Sequence, residues 1–309
     1  MRHYVSLFIT LGVTLLVARL ATAQERTLPP QTRDERRAER DSLSRVELEP
    51  TAFGRVPDPF FRRLGDDAVD MADAIWYTYK RPLSWDKKNW ITFGAVMGGA
   101  ALISLVDEPF RDWLQQYRDP NVDEALAQTI NLYGKPNYNY PILAVIYGSG
   151  VAFNQPWLRE TGTMLIASAT ASGIIQTYSK ILIGRARPKA EVGAFDFKPL
   201  SVDIPNYHSF PSGHMALATA TAYVFGRQAK STGLKIFFYS LSAGTAFTRL
   251  YIDAHWASDV FLGAALSAAC AEAVVHRVRA RRYQRNQHRK VEAMLLPAPG
   301  GASLVVRFN

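Results

Sequence analysis

Three short clusters in the second half of the chain bring together the residue types that bind and attack a tetrahedral oxyanion. The first is Lys180 followed, after six intervening residues, by Arg187-Pro188; the second is Pro211-Ser212-Gly213-His214. The third is Thr248-Arg249, five intervening residues, His255, three more, then Asp259. Arg187 and Arg249 supply planar guanidinium forks that match two oxygens at a time, and Lys180 adds a point charge, so together they offset a phosphate dianion. Ser212 and Gly213 stand where an apolar run begins, which places their backbone N–H groups at a helix N-terminus, where anions are favoured. Gly213 also permits close backbone approach. His255 and Asp259 are four residues apart, a spacing that on a helix puts both on one face, so the carboxylate can orient the imidazole as a nucleophile or base. His214 supplies a second imidazole suited to protonating a leaving alkoxide. His208 and His276 have no oriented partner at helical spacing and are left out of the site.

Apolar segments of helical length position these clusters: Trp90 to Val106, Tyr140 to Asn154, Thr161 to Gly184, Met215 to Phe225, Leu234 to Thr248 and Asp259 to Val275. They are rich in small residues, which allow close helix contacts, and no alternating strand pattern competes with them. The expected fold is all-α, a bundle of about six core helices. The helical domain is expected over residues 53–282, after a flexible leader over 24–52 that is too polar to offset its ordering entropy. Residues 283–309 are expected to form a tail, basic at first and apolar from Leu295, with a short hairpin or strand in its last part. Asp107 and Glu108 read as a helix end.

Location is read from the termini and the charge. Arg2 precedes an apolar run from Val5 to Val17 that ends at Ala21-Thr22-Ala23, which predicts a cleaved secretory signal over residues 1–23. Cys270 is the only cysteine, so neither an intrachain disulfide nor a thiolate zinc cluster can form. A net charge of +9 favours anionic partners without choosing among them. The arginine run after His276 reads as a solvated or lipid-facing segment touching an anionic membrane surface; it lacks interleaved aromatic residues, so nucleic acid is not expected. Several apolar runs fall short of the roughly twenty residues of a membrane span. The mean hydropathy is only −0.08. The expectation is therefore a periplasmic protein of the bacterial envelope, with an integral membrane form as the alternative.

The pattern Lys-x6-Arg-Pro, Pro-Ser-Gly-His, Arg-x5-His-x3-Asp resembles the three-part signature of the type 2 phosphatidic acid phosphatase superfamily, over about Tyr140 to Val275. Thr248 stands where that family usually has serine and keeps the hydroxyl. The resemblance implies a phosphatase acting on phosphate monoesters, lipid-linked or small and soluble. His255 would attack phosphorus, Asp259 would orient it, and His214 would protonate the leaving group and then activate water. Lys180, Arg187, Ser212, Gly213 and Arg249 would stabilise the transition state, with no metal or other cofactor required. Competing expectations are a vanadate-dependent haloperoxidase, whose oxyanion fits the same cradle, and a catalytically silent envelope binding protein.

Overall fold

A computed structural model describes residues 60–288, 291–298 and 301–308; the signal and leader expected over residues 1–52 lie outside the described residues. In chain order the helices are α1 (Phe60–Lys80), α2 (Lys87–Ser104), α3 (Asp107–Gln115), α4 (Pro120–Gln128), α5 (Ile130–Tyr133), α6 (Pro136–Ala152), α7 (Pro156–Ile183), α8 (Gly213–Gln228), α9 (Thr232–Tyr251) and α10 (Ala257–His288). An antiparallel hairpin follows, β1 (Val291–Ala298) and β2 (Gly301–Phe308), with Val291 opposite Phe308. The body is all-α, as expected, and the six apolar runs correspond to α2 and to α6 through α10.

Local signals start and stop these helices. Asp86 caps α2 by accepting from the Asn89 N–H at 2.8 Å. Proline occupies the first turn of α4, α6 and α7, where its missing N–H costs nothing. Helix α7 ends at Gly184, which adopts a left-handed conformation (φ 59°) and donates its N–H to the Lys180 carbonyl at 2.9 Å. A side chain there would be strained, and its Cβ would fall 1.7 Å from the Lys198 carbonyl oxygen. Glycine is thus required where the chain leaves α7 and enters the loop that carries Arg185 and Arg187.

Helix α8 lies at the centre and packs against α7, α9 and α10. It is apolar nearly all round, burying Met215, Leu217, Val224 and Phe225 among others, which matches an environment of helices on every side. Phe225 stacks on Phe238 of α9 with centroids 4.3 Å apart, a geometry that adds roughly 1 kcal/mol beyond the area it buries. Helices α6 and α7 approach closely because Gly162 has no side chain; a Cβ there would lie 2.6 Å from the Tyr147 Cα. Because α6 through α10 alternate in direction, the ends of α7 and α9 and the starts of α8 and α10 gather at one end of the bundle.

The opposite end corrects the reading of the basic segment. Helix α10 runs to His288 without a break at residue 282, and its arginines are not free. Arg277 pairs with Asp73 at 2.6 Å, Arg282 with Asp67 at 2.7 Å, and Arg285 with Asp70 at 2.6 Å; Arg281 also reaches Asp70 at 3.1 Å. The acids come from α1, whose inward face carries Asp67, Asp70, Ala74 and Thr78 at spacings of three and four. Asp67 and Asp70 are fully buried, so these ion pairs are part of the packing between α1 and α10. Up to Arg285, the arginines of the segment read as a solvated or lipid-facing cationic stretch are thus paired with acids, several of them at partly exposed positions.

Candidate active site

All eight residues singled out by the sequence lie at the gathered end of the bundle. Lys180 is in the last turn of α7, Arg187 in the loop that follows, Ser212 at the N-cap of α8, and Gly213 and His214 in its first turn. Arg249 is in the last turn of α9, His255 in the connection to α10, and Asp259 in the first turn of α10. Arg187, Lys180 and Arg249 are all close enough to His255 to oppose its protonation, and Arg249, His255 and Lys180 act on His214 in the same way. The three clusters therefore converge on one site.

The Arg187 fork is held by carbonyl groups: Nε donates to Pro205 at 3.1 Å, Nη1 to Ala254 at 3.0 Å and Nη2 to His208 at 3.2 Å. Carbonyls fix its direction without cancelling its charge. Arg249 is buried and donates through Nη1 to Oδ1 of Asn131 in α5, again a neutral acceptor. Burial, followed by the charges of Arg187 and Arg249, lowers the Lys180 ammonium to about 8. Such a cluster of uncompensated cations is favourable only when an anion binds among them.

The Pro-Ser-Gly-His turn differs in one respect from the sequence expectation. The Ser212 N–H is not available to a ligand, because it donates to the backbone carbonyl of Asp259 at 3.2 Å and so ties the start of α8 to the start of α10. Gly263 permits that contact, since a Cβ there would lie 2.9 Å from the Ser212 carbonyl oxygen. The Ser212 hydroxyl makes no capping bond to its own helix. It is one of four buried polar atoms at the site without a partner among the described residues, the others being Nε2 of His214, Nε of Arg249 and Nδ1 of His255. Buried polar groups are otherwise almost always paired, and the three on Ser212, His214 and Arg249, set among cations, suit an anion, whereas Nδ1 of His255 faces Asp259.

His255 and Asp259 meet, though not across a helix face. His255 precedes α10, and its Nδ1 is 3.9 Å from Oδ2 of Asp259. Desolvation, with Arg187, Lys180 and Arg249 as the next causes, holds His255 well below the ordinary histidine range, so the ring is neutral and its lone pair is available. His214 is lowered to about 2, by burial first and then by Arg249 and His255. A bound dianion would reverse the charge contribution on both rings.

Several site groups were not anticipated. Asp259 is completely buried and is held by the Ser209 hydroxyl, by the Trp256 N–H at 3.1 Å and by Nη1 of Arg185 at 2.8 Å. Arg185 falls among the intervening residues of the first cluster, which the pattern treats as unspecified. Asp107 and Glu108 do begin α3, but they also reach the site: Asp107 accepts from Arg185 at 2.9 Å and from the Ser258 N–H at 3.0 Å, and Glu108 accepts from the Ala194 N–H at 2.6 Å. No sequence signal linked α3 or Asn131 to residues more than seventy positions away.

Residues 161–283 match the PAP2 superfamily. A lipid A 1-phosphatase of Rhizobium etli is 30% identical over 200 residues, covering 60% of this chain and 81% of that protein. A decaprenylphosphoryl-5-phosphoribose phosphatase of Mycobacterium tuberculosis is 32% identical over 144 residues, 47% of this chain and 74% of that one. Among solved structures, a transmembrane PAP2 type phosphatidylglycerolphosphate phosphatase from Bacillus subtilis aligns over 62% of this chain and 95% of its own, with 18% identity and a TM-score of 0.46. The chain belongs to the PAP2 superfamily, as one of its phosphatases.

Proposed function

We propose that the protein hydrolyses phosphate monoesters of lipid-linked substrates through a phosphohistidine on His255. The observation that carries this reading is the group of unpartnered buried atoms on Ser212, His214 and Arg249, set beside His255 among the cations of Lys180, Arg187 and Arg249. Neutral His255 attacks phosphorus, forming an N–P bond as the ester P–O bond breaks, while Asp259 faces the Nδ1 side of the ring. Phosphate binding adds negative charge beside His214 and raises its proton affinity, so the ring can protonate the departing alkoxide. His214 then takes a proton from water, the hydroxide cleaves the N–P bond, and inorganic phosphate leaves. Lys180, Arg187, Arg249, the Ser212 hydroxyl and the Gly213 N–H bind the equatorial oxygens. Fixed cations provide the electrostatics that metal ions provide elsewhere.

Lipid-linked substrates are favoured by what surrounds the site. The segment between the first two clusters exposes Val192, Phe195, Phe197, Leu200, Val202 and Ile204. Helix α2 is apolar all round yet buries only Ala100, and α9 exposes Ile236, Phe237 and Phe247. Exposed apolar area on this scale marks an interaction surface, and lipid is the occupant we assign to it. Among the described helices, one (Ala257–Arg285) is long and apolar enough to cross a membrane, or up to two if the bent pair α2 and α3 counts as one. We place the enzyme in the bacterial envelope, with residues 1–23 as its cleaved signal, 24–52 as a leader, the helical domain from 53 and the tail after it.

The test is hydrolysis of p-nitrophenyl phosphate and of a lipid-linked phosphate by purified protein in EDTA. Release should persist in EDTA and vanish in His255→Ala. Full activity in that variant would overturn the nucleophile, and activity restored only by divalent cations would overturn metal independence.

A further inference from the structure

We propose that Arg185, held in place by Asp107 of α3, is a positioning residue that fixes the Asp259 carboxylate and through it the reacting face of His255. The inference rests on the phosphohistidine reading. Arg185 is 3% exposed, and every part of its guanidinium is engaged. Nε donates to the Ala194 carbonyl at 2.8 Å, Nη1 to Asp259 at 2.8 Å and to the Ser258 hydroxyl at 2.7 Å, and Nη2 to Asp107 at 2.9 Å. Its bonds include two carboxylates and a side-chain hydroxyl, so Arg185 differs in kind from Arg187 two residues on, whose bonds go only to carbonyl groups. Its bond to Asp259 falls on Oδ1, which leaves Oδ2 as the oxygen nearest His255. A guanidinium fork locks a carboxylate plane as a single-point donor does not.

Helix α3 supplies the other half of the device, and it lies outside the segment matched to the family. It touches the chain around His255 at three successive levels. Gln115 donates to the Leu250 and Tyr251 carbonyls at 3.4 and 3.2 Å. Arg111 grips Asp253 with two bonds, at 2.7 and 2.6 Å. Asp107 holds Ser258 and Arg185. Asp253 adopts a left-handed conformation (φ 58°) that a residue with a side chain rarely takes, and the Arg111 fork secures it there. The turn between α9 and α10 is therefore clamped on both sides of His255 by one helix.

The test uses the full chain with p-nitrophenyl phosphate and the variants Arg185→Met, Arg185→Lys and Asp107→Asn. The charged groups facing Asp259 are Arg185, Lys180, Arg187 and, through Arg185, Asp107; His255 is the adjacent titratable ring. Arg185→Met removes the nearest cation and should let Asp259 protonate at higher pH, so the acid limb of kcat moves upward by about a unit. Its kcat should fall about a hundredfold while KM changes little, because what is lost is alignment. Arg185→Lys should recover part of kcat and return the limb towards its original pH. Asp107→Asn keeps the Arg185 charge while loosening its hold, so kcat should fall with no upward move of the limb. Loss of kcat and KM together with an unmoved limb in Arg185→Met would overturn the proposal, as would unchanged kcat in both Arg185 variants. If Arg185→Met does not fold, the same comparison is read from Arg185→Lys and Asp107→Asn: an unchanged kcat in both overturns the proposal. An active His255→Ala would instead remove the phosphohistidine reading itself, so the two failures are distinguishable.

Discussion

The nucleophilic role proposed for His255 depends on keeping its imidazole neutral among cations. Burial, together with Arg187, Lys180 and Arg249, achieves this for His255. The sign of the consequence is fixed. A histidine whose folded pKa lies below its unfolded value stays neutral in the folded protein as pH falls, while the unfolded chain takes up a proton, so stability is lost on acidification below about 6.5. Ring-carbon NMR of labelled histidine in phosphate-free protein, assigned with His255→Ala, should show His255 neutral from pH 8 down to about 5, where an ordinary histidine would be mostly charged. A titration midpoint near 6.5 would contradict the electrostatic account. At this scale the sequence was informative because the signature residues combine type with spacing. It was uninformative about Arg185 and Asp107, whose contact joins positions 78 residues apart with no periodicity between them.

Element by element, the fold was legible wherever burial is apolar. Helices α2 and α6 through α10 are runs of apolar and small residues, and their packing requires little else. Helix α1 was not legible because its inward face is acidic: Asp67 and Asp70 occupy positions where a pattern search expects leucine or valine. The partners that make this possible are the arginines of α10, more than two hundred residues away. That separation also explains why the α10 arginines read as a free basic segment. Breaking a buried ion pair from one side leaves uncompensated charge, so Asp70→Ala should destabilise the protein by about 3 kcal/mol, measured by denaturant unfolding, with kcat of the folded fraction unchanged. A loss below about 0.5 kcal/mol, the range of exposed pairs, would show that this network does not hold α1.

For the whole molecule, the two ends of the bundle are polar in different ways. One carries the uncompensated cations of the site, and the other carries the neutralised pairs between α1 and α10. Since the α10 arginines are paired, the membrane attachment proposed above rests on apolar faces such as that of α2. After cell breakage the protein should remain with membranes through a high-salt wash and be released by detergent, with a mature N-terminus at Gln24. Release by salt alone would return the attachment to charge. The central claim is the covalent step at His255, and rapid quenching of the enzyme during turnover of a 32P-labelled monoester tests it most directly. The account predicts a protein-bound phosphoryl group that is acid-labile and base-stable, maps to the peptide containing His255 and is absent from His255→Ala. Steady turnover with no labelled protein at any quench time, or with the label on another residue, would contradict it.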